Sequence, residues 1–146
     1  MSETVLVNGT DLATFGVVEM VTPPAPRYRG DNLAVPGRAG AVWVPKVLDS
    51  TVLTVGLAVH GFSATTATTE AWWAQFNQTR RDLKTLLVNT GAALAITYRL
   101  NLPSGSVDVT GTGEYQAGLE ADRSIPWVGR FAIQLLVTAG DLLGGV

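Results

Sequence analysis

The residues that could do chemistry are few, and their spacing is unfavourable. His60 and Ser63 lie three apart and could serve as base and nucleophile, with an acid drawn from elsewhere in the chain. No strand–turn–helix elbow surrounds Ser63, however, and closeness in sequence does not aim an imidazole at a hydroxyl. A strand-end histidine bonded to water or backbone accounts for His60 better. Asp108 and Glu114 are the second candidate, as paired carboxylates for glycoside hydrolysis. Both fall on one face of a predicted strand, but six residues of strand separate them by roughly 20 Å, too far for such a pair. With one histidine and no cysteine, histidine clusters, thiolate metal sites, thiol catalysis and disulfides drop out together. No phosphate-binding motif is present either. The sequence therefore predicts no catalytic residues, no metal and no cofactor.

Three short motifs carry little weight. Arg29-Gly30-Asp31 matches an integrin-binding tripeptide, and Asn8-Gly9-Thr10 and Asn77-Gln78-Thr79 match the glycosylation pattern. All three have meaning only in a secreted chain, and the opening "MSETVLVNG" has no basic segment followed by an apolar core. Asn77 also falls in the middle of a predicted helix. Trp72 and Trp73 could stack on a sugar or a base, but helical spacing makes Trp72 a core residue first and leaves Trp73 turned towards a partner surface.

The elements that must position these residues are easier to read. The 146 residues are 47% hydrophobic and 15% charged, with a net charge of −2, a globular composition that fits one domain over 1–146. The mild acidity argues against sequence-independent nucleic-acid binding, and no apolar run approaches the roughly 20 residues of a membrane helix. Strict alternation predicts strands over 52–60, 94–100, 107–117 and 130–138, with shorter ones near 4–7, 16–22 and 41–48. In 107–117, Val107, Val109, Tyr115 and Ala117 oppose a polar face of Asp108, Thr110, Thr112, Glu114 and Gln116. Asn8-Gly9 signals a tight turn. Helical periodicity over about 69–89 places Trp72, Phe76, Leu83 and Leu87 on a core face, with Thr68 or Thr69 as cap. Between the strands, residues 23–40 form a long loop rich in proline, glycine and arginine.

The order of these elements resembles the N-terminal, tail-tube-like domain of siphophage distal tail proteins. The resemblance rests on "VLVNGTDLATFGVV", then the proline-rich loop, then Pro36-Gly37-Arg38-Ala39-Gly40, which matches a short stretch common in that family. It continues through "LTVGLAVHG", the helix "FNQTRRDLKTLLVNTG", "ALAITYRL" and the closing "GRFAIQLLV", and so spans nearly the whole chain. Many relatives carry a second, carbohydrate-binding-like domain for which this chain has no room. Many also carry an Asp-Pro element after the last strand, where Asp141 stands here without the proline.

The resemblance implies a mainly β fold, a β-sandwich or split barrel of the tail-tube type with one flanking helix. It implies a non-enzymatic structural role as the distal tail, or tail tip hub, component of the virion, assembled in the bacterial host cytoplasm. The implied partners are further copies of the chain in a ring, commonly a hexamer, together with the tail tube protein and other tip proteins. DNA would pass through the channel without specific binding, and no membrane is involved. On this reading the face from Asp108 to Gln116 lines the channel, where carboxylates and hydroxyls repel phosphate, and the loop with Arg38 clamps a neighbouring subunit. A tail tube subunit or tail terminator is the nearest alternative. A monomeric ligand-binding β-barrel and a hydrolase built on His60 stand further off.

Overall fold

The computed structural model describes residues 2–62, 68–88 and 91–146. Ser63, of the hydrolase reading, and Asn89, the last residue of the expected helix, lie outside them. The chain is mainly β. Its principal sheet is built from β1 (Ser2–Val7), β2 (Thr10–Asp11), β3 (Val17–Thr22), β8 (Thr51–His60), β9 (Leu94–Leu102), β10 (Gly105–Ala117), β11 (Asp122–Ile125) and β12 (Val128–Gly140). The strands run in the order β2-β1-β9-β10-β12-β8-β3, all antiparallel, with β11 added to the start of β12. Four further strands, β4 (Arg27–Arg29), β5 (Leu33–Ala34), β6 (Ala41–Val42) and β7 (Val47–Asp49), pair only among themselves.

The sheet cannot be flat. β1 and β3 sit towards opposite ends of the strand order, five strand spacings apart, which is about 24 Å in a flat sheet. Residues 8–16 alone join them, and that link folds back on itself: the Asn8-Gly9 turn, β2, then a 3₁₀ turn over Leu12–Thr14. Asn8 and Gly9 both take positive φ, at 51° and 81°, as a tight hairpin turn requires. So compact a link brings the ends together only if the sheet curls into a split barrel, and Leu12 is fully buried in the core between them.

The inner face is the apolar half of each alternating strand. Leu53, Val55, Leu57 and Val59 of β8, Leu94, Ile96 and Tyr98 of β9, and Phe131, Ile133, Leu135 and Val137 of β12 are all buried. Helix α1 (Thr69–Leu87) covers this face with Phe76, Leu83 and Leu87, each fully buried, and Phe76 stacks on Phe131 with ring centroids 6.2 Å apart. Thr68 caps the helix through its side-chain oxygen, which accepts the Ala71 N–H at 3.3 Å. Trp72 is not part of the buried set. It is half-buried at the helix start, where Gly61 passes so close to the Trp72 carbonyl that a side chain at residue 61 would collide.

Two irregularities alter the predicted pattern in β10. Its register with β12 shifts between Thr112 and Gly113 and again between Tyr115 and Ala117. The second bulge leaves Gln116 as the extra residue and sets Ala117 opposite Gln134, so Ala117 is exposed instead of sharing the packed face with Tyr115. Val107, at the other end of the strand, is 52% exposed on the hairpin end. The predicted strand at 41–48 is broken into β6 and β7.

Candidate assembly surface

The stretch expected as a loop over 23–40 is instead one side of an arm. β4 pairs with β7 (Arg27 opposite Asp49, Arg29 opposite Val47) and β5 with β6 (Leu33 opposite Val42), so residues 27–49 make one interrupted antiparallel hairpin. Its turn runs through Val35-Pro36-Gly37-Arg38, closed by the Arg38 N–H donating to the Val35 carbonyl at 3.2 Å. Gly37 and Gly40 take φ near +79° and +77°, which side chains disfavour, and nothing lies within 4 Å of where a side chain would begin at either. At its root the arm is tied down. The Thr51 hydroxyl donates to the Ala25 carbonyl at 2.8 Å, and Pro26 and Leu48 reach the C-terminal turn at Gly144 and Gly145.

Beyond that root almost every arm residue is exposed. Trp43 is 69% exposed, Tyr28 66% and Leu33 61%, and Val35, Val47 and Leu48 join them. Lys46 braces the middle: its Nζ donates to Asn32 Oδ1 at 2.7 Å and lies 5.4 Å from the Trp43 ring. A two-stranded ribbon is marginal in water by itself, and large apolar side chains along it call for a covering surface. The arm is also of opposite charge to its body. Residues 25–50 hold four basic and two acidic residues, net +2, leaving six basic and ten acidic elsewhere, net −4. The Arg38 side chain has no hydrogen-bond or ion-pair partner among the described residues.

The outer face of the curled sheet carries Asp108, Thr110, Thr112, Glu114 and Gln116, all exposed. Across the ladders stand small and hydroxylated residues: Thr97 opposite Thr110, Ala95 opposite Thr112, and Gly56 opposite Ala132. The polar face predicted for this strand has a cationic neighbour. Arg99 of β9 faces Asp108 and grips it with two hydrogen bonds, Nε to Oδ1 at 2.7 Å and Nη2 to Oδ2 at 3.0 Å. The Arg99 bonds lower the Asp108 pKa below the usual carboxylate value, and Asp108 in turn raises that of Arg99. Arg130 similarly approaches Glu19 at 3.4 Å. Alternation over 94–100 puts Arg99 on the polar face with Ala95 and Thr97, and only the register reveals its partner. Glu114 has no such partner among the described residues.

The end of β8 gathers aromatic rings. His60 is exposed, its Nδ1 accepts the Phe62 N–H at 3.3 Å, and its ring lies 5.2 Å from that of Phe62. Phe62 meets Trp72 edge-on at 5.1 Å, and Trp72 meets Trp127 at 5.8 Å. The Trp127 indole N–H is buried without an acceptor among the described residues. Beside this cluster an open pocket of about 320 Å³ is lined by Thr69, Glu70, Trp73, Pro126 and Trp127. Trp73, half exposed, is the indole turned outward. Arg29-Gly30-Asp31 sits on the exposed arm. The Asn8 side chain accepts the Ala95 N–H at 2.9 Å, and Asn77 donates back to the Trp73 carbonyl within α1. Among the described residues there is no cluster of acidic or histidine side chains fit for a metal, and no helix is long and apolar enough to cross a membrane.

No protein-family model matches the chain, and no curated protein matches it. Among solved structures it is similar to the crystal structure of the Dit protein (gp 19.1) of SPP1, described as a paradigm of the hub adsorption apparatus in phages infecting Gram-positive bacteria. The match has a TM-score of 0.61 at 18% identity and takes in 94% of this chain. The chain spans about half the length of that protein, 50% of it. The two share a fold.

Proposed function

We propose that the chain is a structural component of a phage tail, the ring-forming distal tail protein that joins the tail tube to the tip. The observation that carries this reading is the arm: a basic hairpin whose large apolar side chains are left exposed by the described residues, on a fold shared with a hub protein. An arm that leaves its own domain and needs another surface suits a subunit built for assembly. In the ring, commonly six-fold among proteins of this kind, the outer sheet face from Asp108 to Gln116 would look into the channel. Its threonines, alanines and glycines make a smooth wall, and the pairing of Asp108 with Arg99 leaves Glu114 as that strand's charge without an ion-pair partner among the described residues. A ligand-binding barrel suits the fold less well, because the inside of the curled sheet is filled by α1 and its core partners.

The test is the mass of the purified chain in solution together with negative-stain images. Closed rings one or two layers deep support the distal tail reading. Long stacked filaments point to a tail tube subunit, and a monomer at all concentrations overturns both.

A further inference from the structure

We infer that the pocket beyond the end of β8 is the seat for the arm of a neighbouring copy, with Arg38 of the incoming turn pairing with Glu70. The inference rests on the ring-forming reading and adds to it the acceptor surface.

Two exposed apolar surfaces of the chain are chemically matched to one another. The first is the arm turn, where Val35 and Pro36 are exposed, the glycines stand in open space, and Arg38 has no side-chain partner among the described residues. The second is the pocket between Thr69, Glu70, Trp73, Pro126 and Trp127, with Trp73 51% exposed and Ile125 40% exposed beside it. Proline fixes its own φ, so a turn that carries one loses little freedom on docking, and its ring packs flat against an indole. Glu70, exposed in the first turn of α1 and also without a partner among the described residues, supplies the carboxylate for a guanidinium fork. The net charges of arm and body, +2 and −4, favour the same approach.

The arm does not reach this pocket in its own chain. It leaves the sheet before Thr51, whereas the pocket lies beyond His60, and the ten residues of β8 between them extend about 33 Å. Among the described residues nothing lies within 4 Å of where a side chain would begin at Gly37 or Gly40. A contact between two different patches of one chain is head-to-tail and gives a ring where the rotation between neighbours closes, which a self-complementary patch cannot do.

The test is a charge exchange in the full chain, read as the assembled fraction by mass in solution. Arg38→Glu and Glu70→Arg should each weaken assembly by about tenfold or more, and the double variant should recover most of it. Melting temperatures near that of the unchanged chain confirm that the variants fold; Trp73→Ala, which removes an exposed ring, should weaken assembly without touching Glu70. If Arg38→Glu weakens assembly while Glu70→Arg and Trp73→Ala do not, the arm binds elsewhere: the pocket is overturned and the ring reading stands. If the double variant fails to recover, the pairing of Arg38 with Glu70 is overturned. If the unchanged chain never assembles, both readings fall.

Discussion

Arg99 and Asp108 meet across the β9–β10 ladder as a two-pronged ion pair, nine residues apart in sequence and directly opposite in register. A lysine at 108 would therefore face an arginine, and like charges directly opposite destabilise a sheet. Asp108→Lys should lower the melting temperature, whereas Glu114→Lys, opposite Leu136, should leave it nearly unchanged. The pH dependence has a definite sign. The Asp108 pKa is lowered on folding, so the pair's stabilisation is present above the unfolded value near 3.8 and is lost as pH falls through the lower folded value. The difference between the native chain and Asp108→Asn should shrink over that acid range and with added salt, since both partners are exposed. Equal melting temperatures for the two lysine variants would contradict the pairing.

Tyr98 makes the opposite kind of statement. Burial first, then its hydrogen bond to Glu3, push the phenol up to about 12 from 10.0. A raised acid pKa means that folding favours the protonated form, so this stabilisation is complete below pH 10 and disappears as pH rises through about 12. Tyr98→Phe should flatten the alkaline limb of the stability curve. Ultraviolet titration should show Tyr98 ionising well above pH 10, an increment that Tyr98→Phe removes.

Leu83 sits at zero exposure between α1 and the sheet. Leu83→Ala should destabilise the fold by about 2–5 kcal/mol, the usual range for a buried leucine. Denaturant unfolding measures it, and a loss under 1 kcal/mol would mean that the helix is not seated on the core as described.

Trp127 holds a buried N–H with no acceptor among the described residues. Removing the donor while keeping a ring should be mild, because an unmade buried hydrogen bond is itself destabilising. Trp127→Phe should thus be close to neutral in denaturant unfolding, and Trp127→Ala, which also removes the contact with Trp72, should cost about 3 kcal/mol or more.

Local periodicity by itself determined much of this protein. Alternation at Leu53-Val55-Leu57-Val59 and at Phe131-Ile133-Leu135-Val137 follows from one packed face and one polar face, and the 3.6-residue recurrence of Phe76, Leu83 and Leu87 marks the helix that covers them. These signals are local because each side chain's direction is set by its own backbone. Tertiary structure decided whatever depends on what lies opposite. The Arg99–Asp108 pair needs a register; the exposure of Ala117 needs the bulge at Gln116, which reverses the faces after it. Strands of two and three residues are too short to alternate, so the arm was legible only as a loop until β4 found β7 and β5 found β6. Trp72 has the spacing of a core residue, but it stands where Gly61 and the end of β8 press against the first turn of α1, and there it remains half-buried.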